Sequence, residues 1–116
     1  MPEVLQVHEQ AVGEGHLIAP TGEIDQNSSR LVADALRRAT VGGEGNVVLD
    51  LTATSFIDSA GISTLLNGLR RLTRQRRKLI VVCPPGPPRR VFELLGLVGT
   101  FELVNSRREG LAAVGA

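Results

Sequence analysis

Asn46-Val47-Val48-Leu49-Asp50-Leu51 is a nearly unbroken apolar run of β-branched character, and its reading decides the fold class. A strand with one wet face alternates apolar and polar residues, whereas a strand covered on both faces does not. The run therefore predicts a central strand of a parallel sheet. Lys78-Leu79-Ile80-Val81-Val82-Cys83 is a second run of the same kind. Between them, from Gly61 onward, lies an amphipathic helix. Ile62, Leu65, Leu66, Leu69 and Leu72 fall on one face, and Ser63, Thr64, Asn67, Arg70, Arg71 and Arg74 on the other. The stretch Thr52 to Asp58 reads as a connection.

Working outward, Val4 to Val12 is a weakly alternating strand that turns at Gly13-Glu14-Gly15 and pairs back through His16-Leu17-Ile18-Ala19-Pro20, with Gly22 ending the hairpin. From about Ser29, Leu31, Val32, Ala35, Leu36 and Ala39 recur at helical spacing up to a Gly42-Gly43-Glu44-Gly45 loop. Pro84-Pro85-Gly86-Pro87-Pro88 stops the second buried strand and sets φ for a short helix through Val91, Phe92, Leu94 and Leu95, ended by Gly96. Phe101-Glu102-Leu103-Val104 is an edge strand, and Ser106 caps a last helix through Leu111 and Val114. The order is ββαβαβαβα. It predicts an α/β fold in one domain over residues 1–116, with a mostly parallel sheet, an antiparallel N-terminal strand and about four helices.

Composition narrows the function. At 116 residues the chain buries roughly two-thirds of its unfolded surface, and 42% hydrophobic content is that of a folded protein. One cysteine excludes an internal disulfide framework and a cysteine-based zinc cluster. His8 and His16 have no ligand spacing, so no metal and no cofactor is expected. Cys83 reads as a core residue. A net charge of +1 and the absence of Trp and Tyr give no field or stacking platform for nucleic acid. No apolar run reaches the ~20 residues of a membrane span, and the N-terminus lacks a signal peptide pattern. A cytoplasmic location is the expectation. So is a monomer, because no surplus of surface apolar residues is visible.

Arg70, Arg71, Arg74, Arg76, Arg77 and Lys78 crowd one stretch. They read either as a phosphate or nucleic-acid patch or as a solvated helix face whose cations favour the C-terminal end of the dipole. The near-zero net charge favours the second.

The chemistry concentrates in Ser55-Phe56-Ile57-Asp58-Ser59-Ala60-Gly61-Ile62, between a buried strand and a helix, where open α/β sheets place their sites. Ser59 lies just before the helix, and its hydroxyl caps a free amide. The same amides favour an anion. Gly61 permits close approach of a partner's backbone or a phosphate, and Asp58 sets a carboxylate beside the hydroxyl. A nucleophilic serine needs a base and an oxyanion hole. Both histidines lie on the hairpin and no Gly-x-Ser-x-Gly elbow is present, so hydrolysis is not expected. No Walker lysine follows a glycine loop, which also argues against a nucleotide-hydrolysing enzyme.

Gly22-Glu23-Ile24-Asp25, Val47-Val48-Leu49-Asp50-Leu51, Phe56-Ile57-Asp58-Ser59-Ala60-Gly61-Ile62 and the segment from Pro88 to Leu97 together resemble the signature of STAS domains, and within them the bacterial anti-sigma factor antagonists. The resemblance covers essentially the whole chain. It implies a partner-switching protein that is not itself an enzyme. Its unphosphorylated form binds an anti-sigma factor, a serine kinase with a histidine-kinase-like ATPase fold, and frees the sigma factor. The kinase then modifies the serine after the Asp, here Ser59, and a PP2C-type phosphatase restores it. The implied partner face is Glu23, Asp25, Asp58, Ser59, Ala60, Gly61 and Ile62. Asp25 is read either as part of that face or, with Asn27, as the start of the helix. The family often has a second serine after the first. Here it is Ala60, which leaves Ser59 as the sole acceptor in the motif. The alternative within the same fold is a non-catalytic accessory subunit of a transporter or lipid-trafficking complex.

Overall fold

The computed structural model describes residues 4–114. The Val47-Val48-Leu49-Asp50 run forms β3 (Val47–Asp50), and all four residues are buried. Its neighbours explain the burial: β2 (Gly15–Ile24) lies parallel on one side, with Ile18 opposite Leu49, and β5 (Leu79–Val82) lies parallel on the other, with Leu49 opposite Val81. β1 (Gln6–Val12) pairs antiparallel with β2, and β6 (Glu102–Val104) pairs parallel with β5. The sheet order is β1-β2-β3-β5-β6. This is the mostly parallel sheet with an antiparallel N-terminal strand that the periodicity predicts.

One further strand was not expected. Within the stretch read as a connection, Thr54–Ile57 forms β4, which pairs parallel with the end of β2, Ile24 opposite Ile57. Pairing of β2 with β3 ends at Ile18, so the rest of β2 presents an open edge, and β4 fills it. The hairpin does end at Gly22, its last rung being Gln6 opposite Thr21, but the strand does not. Gly22 takes φ +117, a value glycine adopts without strain, and the register shifts there while β2 continues to Ile24.

Two helices cover one sheet face. α1 (Ser29–Gly42) buries Val32, Ala35, Leu36 and Ala39, and α2 (Ser59–Arg74) buries Gly61, Ile62, Leu65, Gly68 and Leu72. They close over Ile18, Leu49 and Val81 in the larger core cluster, which includes Cys83. Burial pushes the Cys83 thiol up to about 11, so it remains protonated and unreactive. α3 (Pro87–Leu94) adds Phe92, edge-on to Phe101 with ring centroids 5.3 Å apart. On the opposite face α4 (Arg107–Ala112), capped by Ser106, packs on β3, β5 and β6, and Val114 just beyond it joins Leu17, Val48, Ile80 and Val82 in a second core cluster.

Two surface expectations change. Arg77 is no part of a solvated face. It is buried, and its guanidinium donates to the carbonyls of Ala39, Thr40 and Gly45 at 2.9, 3.3 and 2.6 Å. α1 has no basic residue in its last turn, and Arg77 brings a cation to its unpaired carbonyls from the α2–β5 connection. Nor is the surface free of an apolar cluster. Leu94 is 79% exposed and Phe56 43%, and both line an open cavity of about 570 Å³ with Pro85, Pro87 and Val91.

Candidate functional site

The acceptor segment begins where β4 ends. Asp58 continues the ladder by one rung, its N–H donating to Ile24 O at 3.1 Å, and the chain then turns into α2. Asp58, not Ser59, is the N-cap. Its backbone is extended, and its Oδ1 accepts the Gly61 N–H at 3.0 Å. Ser59 is the first residue of the helix itself and is exposed. The shift by one residue has a simple cause. Asp and Ser are both strong capping residues, and the extended conformation that a cap needs is imposed on Asp58 by its rung to β2.

The second carboxylate oxygen reaches elsewhere. Asp58 Oδ2 accepts the N–H of Gln26 at 3.0 Å and so ties the β2–α1 loop to the start of α2. That loop is internally organised around Asp25. Asp25 Oδ1 accepts the N–H groups of Asn27 and Ser28, each at 3.0 Å, and lies 2.9 Å from Ser28 Oγ. Ser28 Oγ lies 2.8 Å from Glu23 O and accepts the Asp25 N–H at 3.0 Å. The hydrogen bond to the Ser28 side chain, with those from the backbone, holds the Asp25 carboxyl below its usual range. Neither Asp25 nor Asn27 caps α1. Ser28 holds the cap position without a side-chain bond to the helix amides, and Asp25 closes the turn before it.

Glu23, Asp25, Asp58, Ser59 and Ala60 therefore share one partly exposed surface. Gly61 and Ile62 do not join it. Both are buried, Ile62 in the larger core cluster. A Cβ on Gly61 would lie 2.6 Å from Ile57 Cγ1 and 2.9 Å from Ile24 Cγ2. The missing side chain thus lets α2 sit down on β2 and β4 rather than admitting a partner. Two contributors were not legible. Gln26 acts through its backbone N–H, which no side chain announces. Phe56, next to the acceptor loop, faces outward because the ladder is shifted between Thr54 and Phe56.

The site has the means to present a hydroxyl, not to activate one. Both Asp58 oxygens are engaged by backbone amides, so Asp58 is not a base aimed at Ser59. His8 is on β1, 3.1 Å from Gln10 Oε1, and His16 is on β2. Among the described residues no group of three His, Cys, Asp or Glu could hold a metal ion, and no helix is long and apolar enough to cross a membrane.

A mostly parallel sheet with a leading antiparallel strand, and an Asp-capped helix that opens on an exposed serine after β4, is the arrangement of a STAS domain. Residues 6–110 match that family, and the chain belongs to it. Relatives similar to it carry the name anti-sigma factor antagonist. The anti-sigma-B factor antagonist of Listeria monocytogenes is 32% identical over 89 residues, covering 76% of this chain and 77% of that one. BtrV of Bordetella bronchiseptica is 40% identical over 72 residues, and the match spans 61% of each chain. Among solved structures, an anti-sigma factor antagonist from Mycobacterium paratuberculosis superposes with a TM-score of 0.85 at 22% identity, over 97% of this chain and 95% of that one. The Bacillus cell fate determinant SpoIIAA in its phosphorylated form gives 0.67 at 21% identity, over 92% and 97%. At these identities the two structures speak for the fold.

Proposed function

We propose that this chain is an anti-sigma factor antagonist switched by phosphorylation of Ser59. In this reading its unphosphorylated form binds a cognate anti-sigma factor in the cytoplasm and releases the sigma factor. The anti-sigma factor is a serine kinase of the histidine-kinase-like ATPase fold, and a PP2C-type phosphatase reverses the modification. The chain is a substrate and a switch, acting as a single domain over residues 1–116. The observation that carries the reading is the exposed Ser59 hydroxyl at the start of α2, beside an Asp58 whose two oxygens are already committed to Gly61 and Gln26.

A kinase supplies its own catalytic groups, so its substrate needs only an accessible hydroxyl on a rigid support. Asp58 supplies the rigidity. Phosphorylation adds about −1.5 to −2 charges and three strong acceptors. The Ser59 and Ala60 amides in the first turn are suited to receive them, so the domain keeps its fold. The adjacent Asp58 carboxylate meets the new dianion with like charge, and a partner packed over the hydroxyl meets a group it must desolvate. A loss of about 3–4 kcal/mol weakens binding by a few hundredfold.

The test is phosphorylation by the cognate kinase of wild type and Ser59→Ala, with binding measured alongside. The reading expects modification of wild type alone, and binding by the unmodified variant. Equal modification of Ser59→Ala would overturn the site. No binding to any sigma-regulating kinase would turn the assignment to the accessory-subunit alternative.

A further inference from the structure

Residues 59 to 92 contain no Asp or Glu and carry eight Lys or Arg. Along α2 the exposed positions are Ser59, Ser63, Asn67, Arg70, Arg71, Thr73 and Arg74, a face with the acceptor serine at one end and three cations, beside Thr73, at the other. Among the described residues no carboxylate pairs with these three arginines. The helix dipole accounts for Arg71 and Arg74 in the last turn. It does not account for Arg70, nor for a sixteen-residue helix with no acidic i,i+4 partner for any of the three. A helix selected for its own stability places such pairs on its wet face.

We infer that this face of α2 docks an acidic surface of the kinase that modifies Ser59, an inference that rests on the function proposed above. The distances fit. At about 1.5 Å rise per residue, Arg70 lies about 16 Å from Ser59 along the axis and Arg74 about 22 Å. A specific interface covers roughly 800 Å² per partner, a patch of about 16 Å radius. A partner centred on Ser59 therefore reaches Arg70 at its edge, across the small, uncharged Ser63 and Asn67, while Arg71 at about 18 Å and Arg74 lie just outside its rim. Cations at the rim of an interface act mainly on the encounter rate. Their expected work is to steer the partner onto the serine.

The test is stopped-flow association with the cognate kinase, comparing wild type, Arg70→Glu/Arg74→Glu and the charge-keeping Arg70→Lys/Arg74→Lys. Both side chains are exposed and hydrogen-bond nothing among the described residues, so the variants fold. The wild-type on-rate is expected to fall at least about tenfold between about 50 and about 300 mM salt. The Glu variant should lose about tenfold in on-rate at low salt with little change in off-rate, and the Lys variant should retain it. A Glu variant with the wild-type on-rate and salt slope overturns the docking face alone, while a wild type that does not bind the kinase overturns the proposed function with it. A short fluorescent DNA duplex is titrated in parallel. If the duplex binds and the Glu variant loses it while kinase association stays intact, the face is a nucleic-acid site and the inference is wrong.

Discussion

Asp58 and Gln26 are joined by a 3.0 Å hydrogen bond from the Gln26 N–H to Asp58 Oδ2, across 32 residues of sequence. With the Oδ1 bond to Gly61, one carboxylate holds together the loop before α1 and the first turn of α2. The two segments that form the candidate partner surface are thus fixed to each other by the residue adjacent to the acceptor.

Removing that carboxylate should cost stability and order. Asp58→Ala loses the cap and the link, and should destabilise by about 1–2 kcal/mol, lowering the melting temperature by about 4–8 °C. Asp58→Ser keeps a cap oxygen but is too short to reach Gln26. It should recover most of the melting temperature while its Gln26 amide exchanges faster with solvent. If both amides stay as protected in Asp58→Ala as in wild type, the link has no structural weight.

Phosphorylation of Ser59 should be felt through the same link. Amide shifts in a nitrogen–proton correlation spectrum should concentrate at Ser59, Ala60, Gly61 and Gln26, with the core strands unmoved. Shifts spread through β3 and β5 would mean the fold rearranges, which the packing gives no reason to expect.

Arg77 is predicted to matter more than its exposed neighbours. Arg77→Ala leaves the Ala39, Thr40 and Gly45 carbonyls without their shared donor. Hydrogen bonds to charged groups contribute about 1.5–3 kcal/mol, so a loss of about 2 kcal/mol is expected. Arg76→Ala should stay within about 0.5 kcal/mol. Chemical denaturation of the pair tests the difference.

Acid sensitivity should trace in part to Asp50. Its side chain is 3% exposed. Burial pushes its pKa up, but hydrogen bonds from Thr52 and Arg107, the latter at 2.7 Å, outweigh that and hold it below the usual carboxylate range. A carboxyl depressed in the folded state stabilises above its unfolded pKa, and that contribution is lost as pH falls through the folded value. Stability should therefore decline below about pH 5, and Asp50→Asn should be less stable at neutral pH with a shallower acid limb. A parallel acid limb in the variant would remove Asp50 from the account.

The buried strands and the amphipathic helix were legible because continuous apolar runs and helical spacing are long-range signals. β4 was not. It has four residues, two of them exposed, and exists because β2 outruns β3. The Asp-Ser pair announced a helix start but not which residue caps it, since either type serves. Ile62 shows the reverse case. Its spacing with Leu65 and Leu72 already placed it in the core, and resemblance alone moved it to the partner surface. Arg77 stood in a basic run with nothing local to mark it as the end of α1, because the carbonyls it serves are 32 to 38 residues away.

The most direct test of the switch is intact mass and peptide mapping of the protein isolated from its native cells, with binding to the anti-sigma factor measured for each form. The account predicts a fraction heavier by one phosphate, carried on Ser59, that binds a few hundredfold more weakly than the unmodified form. A protein unmodified under every growth condition with phosphatases blocked, or a Ser59-phosphorylated form that binds as tightly as the unmodified one, would contradict it.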